Sequence, residues 1–243
     1  MKILVFQHNQ IEGLENIKKI LKKKQISITF VKFYEKYIIP KNLEQFSMMI
    51  VLGGPMDTFM EDSYPWLKEE KKKIKEFVVD LQKPFLGICL GCQLLGEVLG
   101  GIIKKSSIEE VGFCDVYAHN EIKKDNLFKY FPEKFKVFQL HSYEVTKIKS
   151  KDVKVLISSS STKYQLFRYK NNAYGMQFHL EVLDKTIEKW LSNKENMNAF
   201  KTIPKILRER NIKEYNQEII KIRNLCENFM GKFIYLAKKN PTN

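Results

Sequence analysis

The first hundred residues switch between two hydrophobic rhythms. Short unbroken apolar runs occupy residues 2–7, 47–52 and 85–89, and Ile26 to Phe33 alternates as a strand does. Between them, Leu14, Ile17, Ile20 and Leu21 recur at helical spacing within Glu12–Lys24. Trp66 to Leu81 is amphipathic up to the stop at Pro84, and Gln93 to Leu99 reads as a helix ended by Gly100-Gly101. This alternation predicts an α/β fold with a mostly parallel central sheet and helices on both faces.

After residue 110 the rhythm changes. Val111–Tyr117, Phe135–Leu140, Val153–Ser158, Tyr164–Tyr169 and Ala173–Phe178 read as strands without long helices between them, which predicts a small antiparallel region. Asn171-Asn172 marks a hairpin turn, and residues 184–191 resume a helix with Asp184 as N-cap. From Ser192 the sequence turns Lys- and Asn-rich, with apolar positions at Ile206, Ile219, Ile222, Leu225, Phe229 and Phe233. We expect one domain over residues 1–191 and a helical extension over 192–243 packed upon it.

Composition narrows the classes. Hydrophobic residues make up 44%, enough for a core and too many for a disordered chain. The apolar run behind Lys2 is too short for a signal peptide, and no stretch approaches the roughly 20 residues of a membrane span. With no export signal, Cys89, Cys92, Cys114 and Cys226 are expected to be free thiols in the cytoplasm. The net charge of +14 is nearly all lysine, with arginine only at 168, 208, 210 and 223. Runs such as Lys68-Glu-Glu-Lys-Lys-Lys-Ile-Lys-Glu suit a solvated helix face, so neither nucleic acid nor membrane is an expected partner.

The candidate chemistry starts at Gly87-Ile-Cys89-Leu-Gly91, a strand-to-helix turn with glycines two positions either side of a cysteine. Such a turn projects the sulfur from the sheet edge at a helix N-terminus, where the helix dipole favours the thiolate. The Leu90 N–H is then an oxyanion donor. Gln177-Phe-His-Leu-Glu supplies a partner: His179 and Glu181, two apart in an extended segment, share a side, so the carboxylate can orient the imidazole toward Cys89. Gly53 and Gly54 close a third strand at the edge where parallel sheets carry their sites, and Gly54 offers a second oxyanion N–H. Rival readings are weaker. Cys89 and Cys92 form a C-x-x-C redox spacing, but a better partner set exists in His179 and Glu181. Zinc lacks a second ligand pair, and a phosphate loop lacks its Lys-Ser/Thr, so neither metal nor other cofactor is expected.

Gly53-Gly54-Pro55, Pro84-Phe-Leu-Gly-Ile-Cys-Leu-Gly-Cys-Gln-Leu-Leu-Gly and Gln177-Phe-His-Leu-Glu-Val together resemble the triad-type, class I glutamine amidotransferases over about residues 1–190. Glu110-Val-Gly and Tyr164-Gln-Leu-Phe-Arg-Tyr are similar to stand-alone members related to the amidotransferase domain of guanosine monophosphate synthetase. The resemblance implies that Gln93 binds the amino-acid end of glutamine and that the backbone at Ser142 and Tyr143 holds its α-carboxylate, with Gly53 beside them. It gives His141 a structural or pocket-lining role. Leu180 stands where many relatives have proline, and Ser142 where glycine is frequent. The implied reaction is hydrolysis of the glutamine amide through a Cys89 thioester; this chain carries no synthase domain, so the ammonia acceptor is expected to be a separate synthase subunit, or none exists. A γ-glutamyl peptide or amine hydrolase would use the same triad. A non-catalytic subunit docking through its basic tail is the reading from another class.

Overall fold

The computed structural model describes residues 1–200, 202–203 and 212–239. Ile206 of the expected extension lies outside them.

Nine strands form one mixed sheet. Its first half is built from β1 (Lys2–Gln7), β2 (Ser27–Lys32), β3 (Met48–Val51), β4 (Phe85–Ile88) and β9 (Ala173–Met176). They lie in the order β2-β1-β3-β4-β9 with every neighbour parallel. The second half is antiparallel: β8 (Leu166–Tyr169), β7 (Val153–Ser158), β5 (Ile102–Ala118) and β6 (Lys134–Lys147) continue outward from β9.

Both faces of the parallel half are covered, which explains its unbroken apolar runs. Ile3 and Val5 join one core with α1 (Glu15–Lys23), α4 (Asp184–Ser192) and α6 (Ile212–Lys239), while Leu4 and Phe6 join a second core with α2 (Trp66–Lys75) and α3 (Leu90–Val98). Successive strand residues point to opposite faces, so each must be apolar when helices flank both sides. A further short helix, α5 (Lys194–Ala199), is capped by the Asn193 side chain, which accepts from the Asn196 N–H at 3.1 Å. In α6, Ile219, Ile222, Phe229 and Phe233 are buried and Leu225 packs against the same core.

Several boundaries differ from expectation. The helix expected over Trp66–Leu81 is α-helical only to Lys75 and widens into a π-helical turn over Glu76–Asp80, where Leu81 N–H donates to Glu76 O at 2.9 Å. That wider turn buries the adjacent Phe77 and Val78 together before Pro84 ends the segment. The helix expected from Gln93 opens at Leu90, directly after the turn. β5 and β6 run well past the expected strands, because β5 is mostly exposed over residues 102–109, of which 102–105 pair with β6, and carries little apolar signal. Asp184 is the first residue of α4 and Leu183 its cap; the Asp184 carboxylate instead accepts from Arg223 Nη2 of α6 at 2.9 Å.

Candidate active site

Four parallel strands, β1, β3, β4 and β9, end at one edge and deliver their loops to a single cleft. Cys89 lies between β4 and α3 with φ 51° and ψ −106°, a conformation that costs a non-glycine residue of order 1–3 kcal/mol. Its N–H donates to Met176 O of β9 at 2.8 Å, which ties the turn to the neighbouring strand. The flanking glycines are sterically required: a Cβ on Gly87 would collide with the Gly91 carbonyl, and one on Gly91 with that of Val51. The same edge brings Gly54 and Leu90 to the cleft, and among the described residues neither backbone N–H has a protein acceptor.

After β9 the chain crosses to β6, where His179 N–H donates to Phe138 O at 2.9 Å. His179 Nδ1 then stands 2.6 Å from Glu181 Oε1, both side chains buried. The ring lines the same cleft as Cys89, and the edge of Trp190 packs on it with ring centroids 4.8 Å apart. Burial opposes a charge on His179. The Glu181 carboxylate and the hydrogen bonds to Cys89 and Glu181 outweigh it, so the pKa stands well above the ordinary histidine value.

The remaining candidates surround this centre. Gln93 Nε2 donates to Tyr143 O at 2.9 Å and to Gln177 Oε1 at 3.2 Å, and Gln177 Nε2 reaches Cys89 Sγ at 3.7 Å. Ser142 and Tyr143 form the opposite wall. Across from Ser142, β5 shifts register between Lys105–Tyr143 and Glu110–His141, which leaves Ser142 without a ladder partner. His141 lines the cleft with Nε2 3.1 Å from Glu110 Oε2. Gly53 turns its α-carbon toward Glu12, whose carboxylate occupies the space a Cβ would need. Each catalytic, oxyanion and substrate-binding candidate read from the sequence is therefore at or beside one cleft.

Cys92 is not. It is fully buried in the second core, and burial together with Cys89 pushes its thiol pKa well up, so it is held protonated as a packing residue. Burial likewise raises the Cys114 thiol to about 11.

Sequence reasoning missed several residues. Glu12, in the loop after β1, lines the cleft; burial of its carboxylate raises its pKa against the pull of His179, Asn9 and His8. Its position after a parallel strand was the available signal. Trp190, Asn196 and Phe200 also line the cleft, the last two beyond the expected boundary at 191. Glu70, expected on a solvated face, is fully buried 2.9 Å from His8 Nε2.

Residues 8–197 match the family model for glutamine amidotransferase class-I. The chain is similar to a glutamine-hydrolyzing GMP synthase subunit of Sulfolobus acidocaldarius, 31% identical over 170 residues that cover 70% of this chain and 81% of that protein. It is 34% identical over 155 residues to the GMP synthase of Thermosipho africanus, covering 61% of this chain and only 28% of that synthase. Among solved structures, a glutamine amidotransferase from Thermotoga maritima superposes with a TM-score of 0.84 at 28% identity, over 96% of this chain and 98% of that one. The glycine-bound cysteine turn, its histidine–carboxylate partner and these matches lead to one placement: the chain belongs to the class-I glutamine amidotransferase family.

Proposed function

We propose that this chain hydrolyses the side-chain amide of glutamine through a γ-glutamyl thioester on Cys89. The observation that carries the reading is the buried His179–Glu181 pair at 2.6 Å, lining one cleft with a cysteine held at positive φ. The Cys89 thiolate attacks the amide carbon, and the carbonyl oxygen gains charge between the Gly54 and Leu90 N–H groups. The His179 imidazolium gives its proton to the departing nitrogen, ammonia leaves, and the thioester remains. Neutral His179 then takes a proton from water, whose oxygen attacks the thioester; glutamate is released and the Cys89 thiolate returns.

Recognition of the amino-acid end follows from the wall opposite Cys89. Gln93 commits its Nε2 to Tyr143 and Gln177, which leaves its Oε1 to accept from the α-ammonium. The backbone at Ser142, which has no ladder partner, and at the adjoining Tyr143 holds the α-carboxylate. The Sulfolobus relative is named as one subunit of a glutamine-hydrolyzing synthase, so the ammonia acceptor is assigned to a separate synthase subunit.

Glutamate release from glutamine by the purified chain tests the reading, with γ-glutamyl dipeptides run beside it at equal concentration. Glutamine turnover lost in Cys89→Ala supports it. Activity retained in that variant refutes the nucleophile, and preferential cleavage of the dipeptides reassigns the substrate.

A further inference from the structure

His8 follows β1 at the same sheet edge and is buried, yet it does not line the cleft. Its Nδ1 stands 2.8 Å from the Gly53 carbonyl oxygen and its Nε2 2.9 Å from Glu70 Oε1 on α2. Both partners are acceptors, and only the doubly protonated ring donates to both. Burial alone would lower the His8 pKa. The charge of Glu70 and the hydrogen bonds to Glu70 and Gly53 reverse this and raise it. The ring also stacks on Trp66 and Phe33, with centroids 5.4 Å and 5.7 Å away, and aromatic faces suit a cation.

The consequence lies in one peptide plane. The Gly53 carbonyl and the Gly54 N–H belong to the same trans peptide and point in opposite directions. With the carbonyl fixed on His8, the Gly54 N–H is turned away from His8, and Gly54 lines the cleft beside Cys89 and Leu90. A peptide between two glycines has little conformational preference of its own. Rotated by half a turn, it would present a carbonyl oxygen where the oxyanion forms.

We propose that the buried His8–Glu70 pair is a positioning device that holds the Gly53–Gly54 peptide with its N–H aimed at the oxyanion formed on Cys89. The proposal rests on Cys89 being an acyl-forming nucleophile, but not on which amide it accepts. All the parts of the clamp come from this chain, so the donor is set without a second protein.

Two reagents separate positioning from general damage. Cys89 attacks the carbonyl of p-nitrophenyl acetate through a tetrahedral oxyanion, forming the acetyl thioester and expelling p-nitrophenolate. Iodoacetamide alkylates the same thiolate by displacing iodide, with no oxyanion. Both rates are measured on the full chain, with the Cys89→Ala background subtracted. His8→Ala is expected to lower the ratio of acylation to alkylation at least about tenfold, toward the ~10²–10³ lost with a whole oxyanion donor. Glu70→Leu should fall between. Glu70→Gln should keep most of the ratio, because the neutral Nδ1–H ring still donates to Gly53 while Nε2 accepts from the amide.

An unchanged ratio in His8→Ala, or an equal loss in both reactions, overturns the proposal. So does a Glu70→Gln defect as deep as that of Glu70→Leu. If His8→Ala does not fold, the contrast between the two Glu70 variants decides. Turnover of glutamine in the same proteins should show kcat falling with KM nearly constant. A wild type that is acylated yet leaves glutamine intact would defeat the proposed substrate, while the ratio would still decide the clamp.

Discussion

The two halves of the sheet divide the work. In the parallel half, the four loops after β1, β3, β4 and β9 carry Glu12, Gly54, Cys89 with Leu90, and His179 with Glu181. The antiparallel half contributes Leu140, His141, Ser142 and Tyr143 from within β6, as a wall. Parallel strands bring all their carboxyl ends to one edge, so groups distant in sequence converge there. An antiparallel ribbon cannot do that, but its register shift opposite Ser142 frees backbone groups in mid-strand. Reacting groups at strand ends and recognition groups at a bulge should fail differently when altered.

The largest effect is expected at the parallel edge. Cys89→Ala removes the proposed nucleophile, and turnover should fall by at least about 10⁴-fold, while the thermal midpoint stays nearly the same because alanine keeps the Cβ and with it the strained turn. Steady-state glutamate release together with a melting curve checks both. A residual rate near wild type would move the reaction elsewhere in the cleft.

Gly54→Ala comes next. A Cβ there would press on His8 Cβ at 2.9 Å and Leu90 Cδ2 at 3.0 Å, displacing the peptide that bears the N–H. A loss of about 10²-fold in kcat with a smaller change in KM is expected, the signature of an interaction made only in the transition state. The contrasting change on the wall, Ser142→Pro, removes a backbone N–H and should act mainly on KM. If the two variants showed the same split between kcat and KM, the division of labour between the halves would be wrong.

Glu181→Gln should cost less, about tenfold to a hundredfold in kcat/KM, and it sharpens the assignment through pH. In the proposed reaction His179 works as an acid toward the leaving nitrogen, so the rate should decline as pH rises through its pKa. Glu181 raises that pKa by its charge and its hydrogen bond. Removing the charge lowers it, and the alkaline limb of kcat/KM should move to lower pH. The shift of the limb and not its absolute position is the test. An unmoved limb would separate Glu181 from the base.

How much of this was legible depended on burial. The parallel strands were readable because helices on both faces force unbroken apolar runs such as Met48 to Leu52. Residues 102–109 were not, since a ribbon with exposed faces has no need of apolar residues. The turn at Cys89 was visible through Gly87 and Gly91, whose lack of side chains is forced by backbone contact. Glu70 was hidden because one buried carboxylate within a Lys/Glu run leaves the run's periodicity intact, and its partner His8 is distant in sequence. Sequence pattern reports what a face must exclude; it is nearly silent about a single polar pair sealed inside it.

The smallest effect on turnover is expected farthest from the edge, in α6. Phe229 stacks on Phe128 with centroids 4.8 Å apart and on Phe233 at 5.4 Å, and meets Tyr174 of β9 edge-on at 6.5 Å. It contacts the middle of the sheet, away from the strand ends that carry the cleft, and it is not among the residues lining that cleft. Phe229→Ala would open a cavity among these rings and lower stability by about 3–5 kcal/mol. With the protein kept well below its melting temperature, kcat should stay within about twofold, because the change removes packing and no group that senses charge in the transition state. Denaturant unfolding and glutamate release on one preparation give both numbers. A loss of kcat at full folding would show that packing of α6 supports the catalytic edge and would bring this helix into the catalytic support.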